Sequence, residues 1–505
     1  MGDDRQLRLW IAAASGLLAG AALPPLGQPP LLWIALAPLW ALAQPEATQP
    51  GWRGGLAGSI PVAGMLWGAL AVLVSHRWLL ALHPLDWIGV PGPLSLPICL
   101  ALWCLCGLLG GGLVALWLAL IARLGPGRLS TALVGAALWG LAEVWLAQGP
   151  LFWIGLGSVA LPGDRPLAGL AAWIGAGGLA ALQLLIGWGI WRLFLGSREG
   201  WPMGRLSRAL ALLLALALAA HLAGGVALAL APGGGAAERL LVLQPAIPTR
   251  EKFSLKQQLG LRRQLLSALD HAGQHASTLV LPEGALALGE PLPAEAAVEV
   301  LSGGFRQEGE QQRSSLLRFA PGSSLPSQWV DKHRLVPLGE WVPGADLWRW
   351  SGLSAVGGLQ SGPPSRLLRR PEGAVGVAIC YELADGQALA RATREGALWL
   401  LASANLDPYP LMLQRQFSAL ARLRAIETGR WLVSAANTGP SLLVDAAGRV
   451  QDQLPPGAPS LGVMEIRRRS ALTPYVLWGE LPLVLLLAMG LALRCSHRLA
   501  SVRQG

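Results

Sequence analysis

The sequence predicts a polytopic α-helical membrane protein that carries one inserted, water-soluble α/β domain. Three observations predict it. Of the 505 residues, 53% are hydrophobic and only 13% charged, a balance typical of chains that cross a bilayer repeatedly. The charge is unevenly spread: residues 232–473 are polar and mixed, while nearly everything outside them is apolar. Within 232–473, short apolar runs alternate with longer amphipathic stretches, the pattern of a layered α/β domain. The expected division is therefore a membrane domain of seven helices over 1–231, a soluble domain over 232–473, and an eighth helix with a short tail over 474–505.

A helix needs roughly 17–25 apolar residues to cross the hydrocarbon. Stretches 8–24, 59–82, 94–122, 130–148, 166–192, 206–231 and 474–493 meet that length. Stretch 31–43 is shorter and contains Pro38, and is counted because the charge pattern then closes. Positive residues mark cytoplasmic loops. With the N-terminus inside, those loops hold Arg53, then Arg123 and Arg128, then Arg192, Arg198, Arg205 and Arg208, and the tail adds Arg494, Arg498 and Arg503. The opposite loops 25–30, 83–93 and 149–165 hold only Arg165. Both termini are thus expected in the cytoplasm and 232–473 outside. The net charge of +10 is largely explained by these loop arginines, which argues against a nucleic-acid partner. The first apolar segment lacks a small-residue cleavage site and reads as a retained helix.

Strands are expected at 239–244, 277–283, 314–320, 328–333, 374–380, 398–403, 431–437, 440–445 and 461–466, with helices at 254–274, 383–395 and 411–429. In the last helix Leu413, Phe417, Leu420, Leu423 and Ile426 recur at helical spacing. Arg422, Arg424, Glu427 and Arg430 ride the same helix and are expected to form a salt-linked face. In layered α/β sheets, reactive residues sit at the carboxyl ends of strands. Three such ends carry reactive types: Glu283 closes "TLVLPE", Lys332 closes "QWVDK" and Cys380 closes "VGVAIC". Lys332 is one of only three lysines in a chain that otherwise uses arginine. Lysine is a compact point charge suited to an anion. Cys380 is the one cysteine of the soluble domain; Cys99, Cys104 and Cys106 lie in one apolar span and Cys495 ends the last. An external thiol without a partner in its domain is a candidate reactive group.

The ordered blocks "LVLPEGAL", "DKHRLVPLGEWVP" and "GVAICYE" resemble the Glu-Lys-Cys triad of the nitrilase superfamily, and "ARLRAIETGRWLVSAANTG" adds a fourth block of that kind. With "PLFWIGLGSVALPGDRPLAGLAAWIGAGGLAAL" before the soluble domain and "LTPYVLWGELP" after it, the chain is similar to the apolipoprotein N-acyltransferase family of bacterial envelopes. The resemblance implies eight membrane helices in the inner membrane and an inserted nitrilase-like α-β-β-α sandwich on the periplasmic side. It implies transfer of an acyl chain from a glycerophospholipid to the α-amine of a diacylglyceryl-cysteine at a lipoprotein's N-terminus. Carried over by motif, Glu283 is the general base, Lys332 the lysine and Cys380 the nucleophile, with Glu340, Tyr381 and Glu382 in support. A monomer without cofactor or metal is expected. Three positions depart from the family pattern: the stretch Asn405–Tyr409, Gln416 in place of a histidine, and Ser434 in place of an arginine.

The chemistry suits those residue types. Passing an acyl group from ester to amine gains from division through a covalent thioester. Glu283 can take the thiol proton and return it to the leaving alkoxide. Lys332 can hold each oxyanion and is expected to favour thiolate at Cys380. Trp341, Leu347, Trp348, Trp350 and Leu353 make 339–353 too apolar for an ordinary loop, and tryptophan favours the membrane interface. This stretch is expected to dip towards lipid as a lid. Glu143, inside an apolar span, is a functional candidate or a partner of Arg165. The alternative activity is a membrane-bound nitrilase-like amidase or hydrolase with water as acceptor; a non-catalytic lipoprotein-binding scaffold would not need all three groups.

Overall fold

Apolar runs too long for a soluble core become the helices of a bundle: α1 (Gly2–Ala22), α2 (Pro29–Leu42), α3 (Ser59–Ser75), α4 (Gly92–Leu124) and α5 (Leu129–Ala147) come first. The single turn α6 (Arg165–Ala168) precedes α7 (Ala171–Arg198) and α8 (Met203–Ala229), and the turn α12 (Pro474–Trp478) precedes the last helix, α13 (Leu481–Val502). The computed structural model describes residues 2–45, 59–86, 89–231, 234–251, 254–337, 339–341, 358–407 and 409–502. By length and composition α4, α5, α7 and α8 can each cross a membrane, whereas α2 and α3 are shorter apolar helices. The 14-residue α2 is enclosed: Leu32, Leu36, Leu39 and Trp40 are fully buried, and the Trp40 indole donates to the Leu184 carbonyl at 3.0 Å. Helix α8 is the opposite, with Leu212, Leu214, Leu216 and Leu218 turned outwards. A row of that kind needs lipid, not water.

Between α5 and α7 the chain enters the bundle without forming a long helix. Residues 156–161 are buried, so their backbone groups need partners inside the protein. Glu143 supplies one, its Oε1 accepting from Leu156 N at 2.8 Å, and the same oxygen accepts from the Trp139 indole at 2.9 Å. It does not pair with Arg165, which turns to the Ala447 carbonyl.

The polar middle of the chain forms two six-stranded sheets. One runs β12-β1-β2-β3-β4-β5, the other β11-β10-β9-β8-β7-β6. The first contains β1 (Ala237–Gln244), β2 (Thr278–Leu281), β3 (Glu299–Glu308), β4 (Gln311–Phe319), β5 (Pro326–Asp331) and β12 (Ser460–Arg467). The second contains β6 (Leu367–Leu368), β7 (Val375–Ile379), β8 (Trp399–Ala404), β9 (Leu432–Ala436), β10 (Leu442–Val444) and β11 (Val450–Gln453). Strands β1-β2-β3 and β7-β8-β9 are parallel and the flanks antiparallel. The period-2 alternation of a strand divides β1 between two cores. Leu240 and Val242 meet the second sheet, while Leu241 and Leu243 pack on Leu265 and Leu269 of α9 (Leu255–His275). Helices α10 (Gly386–Arg394) and α11 (Leu411–Thr428) cover the other face, completing an α-β-β-α sandwich.

The sandwich is seated on the bundle through α11. Leu423 and Ile426 join a core with Leu167, Leu170 and Leu228, and Phe417 stacks on Phe152 with centroids 5.5 Å apart. Gln416 donates to the carbonyls of Pro24 (3.1 Å) and Ser75 (3.0 Å), so the residue that departs from the family pattern ties the two parts together. The expected salt link forms on α11, and it is buried: Arg424 and Glu427 pair at 3.1 Å, while Arg430, just past the helix, is buried against backbone carbonyls. Glu427 also accepts from Ala176 N at 2.8 Å. That amide is freed because α7 breaks at Gly175, where φ is +66° and a Cβ would lie 2.3 Å from the Tyr475 ring.

Candidate active site

Strands β2, β5 and β7 stop at Leu281, Asp331 and Ile379, and within two residues of each stop stand Glu283, Lys332 and Cys380. Lys332 is 1% exposed. Its Nζ donates to Glu283 Oε1 at 2.8 Å and to Glu340 Oε1 at 2.7 Å. The far oxygen of each carboxylate is also fixed: Glu283 Oε2 accepts from Asn405 N at 3.0 Å, and Glu340 Oε2 from Val336 N at 2.9 Å. Gly303 on β3 makes room for this arrangement, since a Cβ there would meet Glu283 Cα at 2.4 Å.

Cys380 has φ +56°, a left-handed conformation that costs a non-glycine residue on the order of 1–3 kcal/mol. The turn, which runs over Cys380–Ala384, is held by its own Glu382. Its carboxylate accepts from Ile379 N (2.9 Å), His333 N (2.7 Å), Arg334 N (3.1 Å) and Arg366 Nη1 (2.9 Å). Glu382 therefore clamps the strand end bearing the cysteine to the one bearing the lysine. Tyr381 donates to the Leu335 carbonyl at 2.9 Å, and the Arg334 guanidinium lies 5.1 Å from its ring. Arg334 in turn donates to the Ala147 carbonyl at the end of α5.

Burial pushes the Cys380 thiol well above its ordinary value, and the charge of Glu283 adds to the rise; Lys332 pulls the other way and loses. Lys332 thus favours thiolate, as expected, but burial and Glu283 outweigh it and favour the thiol. Burial works against the Lys332 ammonium too, but the carboxylates of Glu283 and Glu340 outweigh it and raise its pKa. Burial raises the Glu340 carboxyl, helped by Glu283 and opposed by Lys332.

A cavity of about 130 Å³ opens beside Cys380 and Tyr381. It is walled by Trp78, Phe152, Tyr409 and Phe417 and reaches Leu102 and Cys106 of α4. On the other side of Tyr381, a polar groove is lined by His333, Arg334, Gln360, Ser361 and Trp341. Of the expected lid, Trp341 is exposed at the edge of this groove, whereas Leu347, Trp348 and Trp350 lie outside the described residues.

Sequence reasoning places Glu283, Lys332 and Cys380 at strand ends, and the fold brings them into one charge cluster with Glu340. It missed Arg366, and it read Asn405 only as the start of a departure from the family pattern. Arg366 stands on no motif and finds Glu382 only through tertiary folding. Asn405 directly follows β8, as Asn437 follows β9, and the Asn437 side chain donates to Asn405 Oδ1 at 3.0 Å. The strand-end rule that found the other three would have found both.

Residues 290–473 match the carbon-nitrogen hydrolase family model. Sandwich, strand-end residues and apolar bundle together define a membrane-embedded member of that class. Residues 15–189 match the apolipoprotein N-acyltransferase N-terminal domain. An apolipoprotein N-acyltransferase of Prochlorococcus marinus is 49% identical over 96% of this chain and 95% of its own length. Its counterpart in Parasynechococcus marenigrum is 48% identical over 94% and 98%, and that of Gloeobacter violaceus 29% identical over 93% and 90%. The chain belongs to the apolipoprotein N-acyltransferase family.

Proposed function

We propose that this membrane enzyme moves an acyl chain from a glycerophospholipid to the α-amine of a lipoprotein's diacylglyceryl-cysteine through a thioester on Cys380. One observation carries the reading: a buried thiol, beside a carboxylate–lysine pair, opens onto an apolar cavity that reaches a membrane helix. An amidase for small polar substrates needs no such cavity, so the transferase is favoured over the hydrolase.

In the first half-reaction Glu283 takes the Cys380 proton as sulfur attacks the ester carbonyl carbon. Lys332 holds the charge that develops on the carbonyl oxygen. The carbon–oxygen bond breaks and Glu283 returns its proton to the lysophospholipid oxygen. In the second, the neutral amine, of pKa about 7.7–8.0, attacks the thioester carbon. Glu283 accepts its proton, the carbon–sulfur bond breaks, and the proton passes to Cys380. Glu340 sets the position and charge of Lys332, Glu382 holds the turn, and Tyr381 separates acyl cavity from polar groove. Trp341, exposed beside the groove, is the described member of the proposed lid.

The reading divides the chain into 1–231, 232–473 and 474–505, with eight crossings, both termini cytoplasmic and the sandwich at the outer face of the inner membrane. The loop arginines support it. It also takes the enzyme to be a monomer. Intact mass of the detergent-purified protein after incubation with phospholipid tests the chemistry. One hydroxylamine-sensitive acyl increment, absent from Cys380→Ala, is expected, and a diacylated lipopeptide should discharge it. Discharge by water at the same rate would return the reading to a hydrolase.

A further inference from the structure

A second cavity, also of about 130 Å³, lies inside the helical bundle. Ala71 of α3 and Ala142 of α5 line it with small side chains, and Gly68 and Gly110 let α3 and α4 meet closely along its wall. It reaches from His76 to Trp67, nine residues back along the chain and so about 13 Å at helical rise. Its floor is a tryptophan cluster: the Trp67 and Trp139 rings are 6.2 Å apart, and those of Trp139 and Trp117 5.2 Å.

The partition between the two cavities is thin. His76 lines both; Phe152 lines the catalytic one and its neighbour Trp153 the other. The His76 ring bonds the Phe152 carbonyl through Nε2 at 3.2 Å. Trp78 and Trp153 flank that ring, with centroids 6.2 and 6.0 Å away. Trp78 belongs to the catalytic cavity and Trp153 to the second, and each holds a buried indole N–H with no partner among the described residues. Two apolar chambers that share one thin partition fit a forked ligand with an alkyl branch in each.

We propose that the bundle cavity holds the second fatty acyl chain of a diacylglyceryl group seated astride His76, while the catalytic cavity holds the chain to be transferred or already on Cys380. The inference rests on the acyltransferase reading above. Its ligand chemistry, an alkyl chain esterified to glycerol, has two sources: the chain the donor phospholipid keeps, or a chain of the diacylglyceryl acceptor.

Ala142→Leu fills the cavity, and Ala71→Leu fills it from another helix. Thioester formation is followed by intact mass with a diacylglycerophospholipid and with the lysophospholipid of the same headgroup and chain. If the donor's retained chain is the occupant, the filled variants acylate from the lysophospholipid at the wild-type rate and from the diacyl lipid about tenfold more slowly or worse. If the acceptor supplies the chain, both acylations stand and discharge onto a diacylglyceryl peptide slows, while discharge onto a small amine does not. Equal rates with every substrate, or an equal loss with mono- and diacyl donors, overturn the proposal. Failure of the wild type to form any thioester would instead overturn the function it rests on.

Discussion

Lys332→Met removes the one cation from a buried site that holds two carboxylates. In the wild type both lie within 2.8 Å of a side chain that is 1% exposed. Removing one member of a buried ion pair typically costs about 3–5 kcal/mol, because the partner charge is left uncompensated. The variant escapes part of that cost by taking up a proton, and Glu340, which burial already raises, is the place for it. A carboxyl whose folded pKa exceeds its unfolded value binds more protons when folded, so its presence lowers stability as pH rises through that interval. The deficit of the variant should therefore be full near pH 8. It should shrink towards pH 6 by at most about 2.7 kcal/mol, one proton over two pH units. Melting temperature in detergent against pH reads this directly. The same variant loses an oxyanion donor of about 3–4 kcal/mol, so single-turnover acylation of Cys380 should fall by about 10²–10³. A deficit that is flat in pH or grows in acid, or acylation at the wild-type rate, would refute the reasoning.

Three further outcomes follow from the same geometry. Gly303→Ala sets a Cβ against Glu283 Cα and should cost about 1–3 kcal/mol of overpacking; acylation should slow with the displaced base, and an unchanged rate would show that Glu283 is not the group that matters. Glu382→Gln leaves Arg366 buried without a counter-charge, at about 3–5 kcal/mol, visible as a lower melting temperature together with slower acylation. Glu283→Gln should abolish turnover yet move the pH midpoint of Cys380 alkylation downwards, since Glu283 helps hold the thiol proton on; peptide mass spectrometry after iodoacetamide separates this cysteine from Cys104 and Cys495, and an upward shift would contradict the charge picture.

Much of this architecture was legible in the residues, for reasons that also mark the gaps. Every expected strand exists, because each is a β-rich apolar run bounded by turn residues. The one long strand that escaped is β3, whose Ser302, Gly303 and Gly304 break the apolar pattern. Its glycine is there for Glu283, a requirement set by a neighbour far away in the chain. The strand-end trio was visible since parallel strands deliver their residues to one edge. The fate of Arg424 and Glu427 was not: helical spacing puts them on one face, but only docking on the bundle decides that this face is buried. Membrane boundaries shifted for a similar reason. The stretch 59–82 ends its α-helix at Ser75 and continues as a tight turn over Arg77–Leu82, where it meets the sandwich rather than lipid.

The seating of the sandwich on the bundle has a consequence for which molecules are chosen. Arg334 fixes the cysteine-bearing edge to the end of α5, and the Phe152–Phe417 stack and Gln416 fix α11 beside it. The sulfur therefore stands at one height relative to the helices, and the helices are held by the hydrocarbon slab. If the donor is a membrane lipid, as proposed above, its ester bond is within reach only when it floats at that level. Selection by depth acts before selection by shape, and it makes bilayer thickness, which lifts or lowers every headgroup at once, a determinant of rate in its own right.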